Sequence, residues 1–464
     1  MLNHFNFEKR GDKVLLTNDF GKHIFLEQPE FKKLVTNKIE ETDACYDCLK
    51  DGLFIFDNPM EVFTDENIDA IRGMKGYLFT GTALHIFVVT NVCNMNCIYC
   101  QAKDKTSDLS KFMTPETGRR AVDMALQSPV NELTFEFQGG EPLLNFKTIK
   151  AMIDYCEERK GSKNVEYTLV SNLIALTDDK LDYLAEHHVS VSTSMDGPQF
   201  INDHNRVAKG GLSSYEYMDK GLKKLKERGI SSGAIETTTR YSLGYPEEII
   251  NAYYEKGLPG IFLRPLTPLG FAQADWETVG YAPDEFLLFY SKAFEKILEI
   301  NRGGTVFPEI LATYFLRKIM NGVAYNYMEL RSPCGASMGQ MSYYCDGDIY
   351  TCDEGRMISE TGDHAFRLGN VYENTYQELL ENPVCKATAL SSVVESLPSC
   401  QGCVYQPYCG VCPVVNYAEG KNIFPKQPGG FRCQVYKGIL NLIFQKIQEG
   451  DWQTMNIFET WIEG

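Results

Sequence analysis

From Thr82 to about Arg302 the chain alternates between short β-rich runs and helical stretches, and this constrains its fold more than any other feature. The runs are "ALHIFVVT", "ELTFEFQG", "EYTLVSN", "VSVSTSM", "GAIETTT" and "GIFLRPL". Their β-branched and aromatic residues suit a pleated surface that is at least half buried. Between them lie "TPETGRRAVDMALQ", "TDDKLDYLAEHH" and "SYEYMDKGLKKLKERG"; in the first, Thr114 predicts an N-cap and Pro115 the first helical position. Six such repeats predict an α/β fold, a partial (β/α)6 TIM-like barrel with a parallel sheet inside and helices outside. Active sites in such folds gather at the C-terminal ends of strands.

The first strand runs directly into "TNVCNMNCIYCQ", which sets Cys93, Cys97 and Cys100 within eight residues, with Tyr99 before the third. Three thiols are one too few for a closed zinc site or a closed iron–sulfur cluster. A [4Fe–4S] cubane held by three cysteines leaves one iron open to a small ligand that brings an amine and a carboxylate. The second strand ends in Gln138, Gly139, Gly140 and Glu141. Glycines let backbone approach a ligand closely, and a carboxylate can receive an ammonium. Ser171 and Asn172 end the third strand, and "SMDGPQFINDHNR", with Ser194 and Arg206, ends the fourth. Strand-end turns and helix caps use the same polar residue types.

Fifteen cysteines in 464 residues are many, and nine of them fall between Cys334 and Cys433. In a reducing compartment such clustering means metal or redox chemistry more often than disulfides. The spacings are specific. Cys334 is followed by Gly347, four residues and Cys352; then come Cys400, Cys403, Cys409, Cys412 and finally Cys433. Cys45, Cys48, Cys156 and Cys385 fall outside this pattern and read as packed thiols. The net charge of −17, with no basic block, argues against nucleic acid and an anionic membrane face as partners. The start has no apolar signal-peptide core, and no run approaches a membrane span, so the expected location is the cytoplasm.

The C-x3-C-x2-C motif, the Gly-Gly-Glu strand end and the S-x-D-G…R stretch together resemble the radical S-adenosylmethionine (SAM) superfamily. The later cysteines resemble its SPASM domain, with two residues rather than three between Cys409 and Cys412. This resemblance covers about Thr82 to Cys433 and implies SAM with three [4Fe–4S] clusters. Cys93, Cys97 and Cys100 would hold the SAM-binding cluster. Gln138, Gly139, Gly140 and Glu141 would meet the SAM amino group, and Ser194 and Arg206 its carboxylate and ribose, with Tyr99, Ser171 and Asn172 also at the cofactor. Cys334, Cys352 and Cys412 would hold one auxiliary cluster, and Cys400, Cys403, Cys409 and Cys433 the other. Cys345 either completes the first auxiliary cluster or is a buried thiol. Asp353 matches a proton acceptor of sulfatase-maturing relatives; the plain alternative is a partner for Arg356 or a turn cap.

The implied activity is hydrogen abstraction from a ribosomally made precursor peptide, followed by a crosslink or an oxidised residue. The opening "NFEKRGDKVLLTNDFGKHIFL", with "CDEGRM" and "CVYQPYCGVCP", looks most like the His-Xaa-Ser system maturases. Formylglycine formation in a sulfatase and a non-catalytic zinc-binding scaffold are the alternatives. A reductant such as flavodoxin or ferredoxin would be a partner. The expected division is a winged-helix-like unit over residues 1–81 that grips a leader peptide or merely caps the barrel. The barrel follows over 82–305, then a helical bridge over 306–330, the SPASM segment over 331–435 and a terminal helix over 436–464.

Overall fold

The computed structural model describes residues 1–102, 111–322, 328–424 and 429–463. Residues 323–327 of the expected bridge and 425–428 of the cysteine-rich segment lie outside these. The amino-terminal part folds as an antiparallel sheet of β1 (Asn6–Arg10), β2 (Lys13–Thr17) and β3 (His23–Glu27), in that order. β1 is a polar NFEKR strand, and its hydrophobic content alone does not mark it. Helix Gln28–Val35 carries Pro29 in its first turn, and helix Tyr46–Asp51 ends at Gly52, as the turn chemistry predicts.

The barrel strands are β4 (Leu84–Thr90), β5 (Glu132–Gly139), β6 (Asn164–Val170), β7 (Ser190–Ser194), β8 (Ser232–Thr238) and β9 (Leu263–Pro265). Each pairs parallel to the next. Alternation along the strands separates two faces. Leu133, Phe135 and Phe137 of β5, with Val165, Tyr167 and Leu169 of β6, pack outward against Ala121, Val122, Ile149 and Met152 of the covering helices. The intervening Gln138, Val170 and Ser194 face inward and line a cavity. Thr114 caps the first covering helix, Pro115–Leu126, by accepting from the Thr117 amide at 3.1 Å.

Three further strands, β10 (Gln340–Tyr343), β11 (Asp348–Tyr350) and β12 (Arg367–Asn370), come from the cysteine-rich segment. β10 adds to β4 in parallel, and β11 and β12 follow antiparallel, giving one nine-stranded sheet. The cysteine-rich segment is therefore not spatially detached: it continues the barrel sheet. Helix Pro283–Arg302 buries Phe286, Phe289, Tyr290, Ala293, Phe294, Ile297 and Leu298, a stripe of helical period. That stripe shares a core with helices Phe431–Glu449 and Trp452–Glu463. Within the expected bridge, helix Ile310–Leu316 is followed by a wider turn, Arg317–Asn321. No helix among the described residues is long and apolar enough to cross a membrane.

Candidate active site

The cysteine loop leaves the end of β4 and is held from two sides. The Asn96 amide donates to Val207 O at 2.7 Å and the Ile98 amide to Asn205 O at 2.9 Å. On the other side, Gly140 donates to Thr90 O at 2.8 Å and Glu141 to Val92 O at 2.9 Å. A Cβ on Gly139 would stand 2.0 Å from Thr90 O, and one on Gly140 2.4 Å from Val92 O. The glycine pair thus gives close approach to the backbone of the cysteine loop, in addition to lining the cavity. Gly139 also has φ +153°, a conformation side chains rarely adopt.

A cavity of about 210 Å³ opens at these strand ends and brings together nearly all the expected cofactor residues. Cys93, Cys97, Cys100 and Tyr99 line one side of it. Gln138 and Gly139 end β5 and Gly140 follows it, Ser171 and Asn172 follow β6, Ser194 ends β7, and Arg206 follows the next helix. Burial, then the neighbouring Cys97, pushes the Cys93 thiol up to about 12, and the same two causes take Cys100 to about 11. These thiols need cationic ligation to be thiolates at neutral pH.

Glu141 is the exception. It is fully buried and does not line the cavity. Its carboxylate accepts from Ser171 Oγ at 2.7 Å, the Asn172 amide at 2.8 Å and the Leu143 amide at 3.0 Å. It fastens the ends of β5 and β6 together. Asn172 in turn donates to Asn94 Oδ1 at 2.8 Å, fixing the residue after Cys93. Arg206 Nη1 donates to the Tyr99 hydroxyl at 2.6 Å, and Tyr99 donates to Asp196 Oδ1 at 3.1 Å. Burial pushes Asp196 up to about 6 against the pull of Arg206. Asp196 lies in the SMDG stretch, whose turn-forming residue types do not by themselves mark it as a site residue. Arg264 and Arg356 also line the cavity. Arg264 lies in β9, the last barrel strand, and the strand-end rule was the signal that could have found it.

The later cysteines form two groups. Cys334, Cys352 and Cys412 share one small buried cluster, and the charges of Cys334 and Cys412 act on Cys352. Cys400, Cys403, Cys409 and Cys433 line a cavity of about 370 Å³, which Cys412 also reaches. The resemblance sets Cys412 with the first group, and the structure places it at both. Cys345 stands apart, buried in the barrel core with Ile349, Tyr350 and Val371, so the arrangement favours its reading as a packed thiol. It sits in the turn between β10 and β11, which faces that core. Cys45, Cys156 and Cys385 are buried as expected, whereas Cys48 is exposed. Among the described residues no three His, Cys, Asp or Glu side chains converge on a single metal ion.

Asp353 opens helix Asp353–Ser359, with Cys352 as the N-cap whose Sγ accepts from the Gly355 amide at 3.3 Å. Arg356, 1% exposed at its side chain, bonds Asp353 through two nitrogens, the Nε contact being 3.1 Å, and reaches Glu360 at 3.5 Å. Asp353 thus has the Arg356 partnership of the plain alternative, while Arg356 itself faces the cavity. Beside the cavity lies a smaller chamber that shares Gln101, Arg264, Pro265 and Thr267 with it and adds Glu329, Glu354, Arg432 and Tyr436.

Residues 87–253 match the Radical SAM superfamily. An uncharacterized protein of Methanocaldococcus jannaschii is 34% identical over 183 residues, 39% of this chain and 62% of that protein. The serine-type anaerobic sulfatase-maturating enzyme of Bacteroides thetaiotaomicron is 22% identical over 397 residues, 78% of this chain and 90% of that enzyme. Among solved structures, anSMEcpe with bound AdoMet superposes with a TM-score of 0.70 at 19% identity, over 82% of this chain and 99% of that one. Streptococcus suis SuiB bound to its precursor peptide SuiA gives 0.56 at 14% identity, over 93% and 99%. At these identities the structural likeness is one of fold.

Proposed function

We propose that this chain, a radical SAM protein whose family domain spans residues 87–253, modifies a ribosomally synthesised peptide. The observation that carries this reading is the 210 Å³ cavity, where three thiols meet polar strand ends from β5, β6 and β7. Cys93, Cys97 and Cys100 hold a [4Fe–4S] cluster, and Gln138, Gly139, Gly140, Asn172, Ser194 and Arg206 surround SAM. The chemistry such a cluster and SAM would supply when bound there is hydrogen-atom abstraction from an aliphatic carbon of the peptide. Arg206 orients the aromatic ring of Tyr99 against the cofactor, and Glu141 keeps the strand ends in register. Cys334, Cys352 and Cys412 hold one auxiliary cluster, and Cys400, Cys403, Cys409 and Cys433 the other, three clusters in all. Asp353 receives the proton that leaves the substrate as the new bond or double bond forms.

A cytoplasmic flavodoxin or ferredoxin supplies the electron. Residues 1–81 grip the precursor's leader, an extended peptide adding to an outer strand of the three-stranded sheet through backbone hydrogen bonds. SuiB, whose fold this chain shares, binds a precursor peptide. The His-Xaa-Ser assignment rests on the sequence resemblance. A second reading, formylglycine formation, is favoured by likeness along nearly the whole length of a sulfatase-maturating enzyme. Anaerobic protein reconstituted with iron and sulfide should be brown and make 5′-deoxyadenosine from SAM. Mass spectrometry should then show a mass change in a peptide encoded beside the gene and none in a sulfatase-derived peptide. The converse result selects the second reading, and colourless protein containing only zinc sinks both.

A further inference from the structure

A hollow of about 310 Å³ lies between the turn Gly76–Phe79, the chain leading into β10 and helix Pro383–Leu390. It shares no lining residue with the 210 Å³ cavity. Arg331 lines it and is 4% exposed. Its Nε is buried without a partner, and among the described residues the guanidinium forms no ion pair. It lies instead over the ring of Tyr77, 4.7 Å from the centroid. Tyr77 is itself held by Ser332, donating to its carbonyl at 2.9 Å and accepting from its amide at 3.0 Å. Glu395 also meets Ser332, but Lys75 engages its carboxylate and it lines a different hollow. Among the described residues no Asp or Glu lines the 310 Å³ hollow, in a chain of net charge −17. A second cation, the exposed Lys386, does.

Burying a charge is costly unless it is paired, and an aromatic ring offsets only part of that cost. The first auxiliary thiols do not supply the pairing. Cys334 lines the hollow, but Cys352 and Cys412, which share its buried cluster, do not. A group held by all three lies on the far side of Cys334. We infer that the hollow binds a carboxylate carried on an apolar body. A guanidinium fork takes both oxygens of a carboxylate side by side. Leu78, Met338 and Leu380 wall the rest of the hollow, and the exposed Phe79 and Leu390 adjoin its lining residues in sequence. The volume is that of a small-ligand pocket. The carboxylate belongs to an acidic residue of a peptide or to a free organic acid. Binding makes and breaks no covalent bond, and it does not depend on what the SAM site modifies.

The reconstituted protein, with its clusters, is titrated calorimetrically with phenylacetate, a free acid, and with acetyl-Leu-Glu-Leu-amide, whose one carboxylate is on a side chain. The neutral counterparts, phenylacetamide and acetyl-Leu-Gln-Leu-amide, are run beside them. At least one acid should bind about tenfold or more tighter than its amide, the worth of a charged hydrogen-bonded pair. The tighter of the two acids identifies the source. Arg331→Met should abolish the preference for acid over amide, with iron content and melting temperature no lower than in the unaltered chain. Arg331→Lys should keep part of it. Lys386→Met, at the surface, should weaken acid binding without removing the preference. Equal binding of acid and amide, or no binding of either acid, overturns the inference. So does a preference that Arg331→Met leaves intact. A preference seen in cluster-free protein and lost on reconstitution, or iron lost from Arg331→Met, gives Arg331 to the metal centre at Cys334 and overturns it too.

Discussion

At the residue scale, Ser171, Asn172 and Arg206 both line the cavity and bond its framework, whereas Glu141 serves the framework alone. Cys93, Cys97 and Cys100 line the cavity with no disulfide between them. Changing all three to Ala should stop 5′-deoxyadenosine formation and lower iron by about four per chain, the content of one cubane. Continued 5′-deoxyadenosine formation would refute the SAM site. Glu141 looked like a cofactor ligand from its motif, yet three protein donors satisfy its carboxylate. Two of those donors, the Ser171 hydroxyl and the Asn172 amide, reach it only through strand pairing, so the motif could not reveal them. Asp353 is paired with Arg356, whose side chain is 1% exposed. Asp353→Asn should retain 5′-deoxyadenosine formation from SAM and lose peptide product; full product formation would leave Asp353 a purely structural partner. Arg356→Met strands the Asp353 carboxylate, while Glu360 keeps Asn91 and Tyr344 as donors, and should cost about 3 kcal/mol, read as a fall in the denaturation midpoint.

At the element scale, the β-α alternation was legible because each barrel strand carries its own apolar face, and β5 runs over the same residues as its quoted run, Glu132–Gly139. β1 was not legible, because NFEKR owes its place to pairing with β2 and to docking elsewhere. The glycine pair shows how close the elements come. Gly140→Ala puts a methyl 2.4 Å from Val92 O, so the loop bearing Cys93 must shift. The variant should lose the iron of the SAM cluster and keep that of the later cysteines; unchanged iron would show that the loop tolerates the methyl. His85 joins β4 to β10. It is fully buried, with Nδ1 2.9 Å from the Tyr343 hydroxyl and Nε2 3.2 Å from Thr82 O. If Nε2–H donates to that carbonyl, Nδ1 accepts from Tyr343. Burial lowers the folded pKa to about 3 from 6.5. As pH falls through 6.5 the unfolded chain binds a proton that the folded chain refuses, so stability declines from there down to about 3. His85→Gln removes that contribution, and its melting temperature should fall less steeply over the same window. Parallel slopes would mean that His85 does not couple the strands to pH.

At the scale of the whole molecule, the amino-terminal sheet is built into the cysteine-rich part. Thr17 Oγ1 donates to Val404 O at 2.6 Å, and Asn6 Nδ2 to Gln401 O at 2.9 Å and to Cys403 O at 3.2 Å. Tyr408 returns a bond to Gly21 O at 3.0 Å, and His23 and Phe25 pack on Phe444. The backbone carrying Cys400, Cys403 and Cys409 is thus fastened by residues nearly 400 positions away, a linkage no local pattern could announce. A terminal unit that only gripped a leader would be removable without cost to the metal centres. This one satisfies carbonyls of the cysteine loop, and unmet carbonyls in a partly buried loop are expensive. Deleting residues 1–58 should therefore free that loop and lower iron by about four per chain, one cubane's worth, while the 210 Å³ cavity, which lies on other elements, still forms 5′-deoxyadenosine from SAM. Iron analysis beside a 5′-deoxyadenosine assay reads both effects in one preparation. Full iron retention would mean that the cysteine loop folds without its amino-terminal partner, leaving peptide capture as the sheet's remaining role.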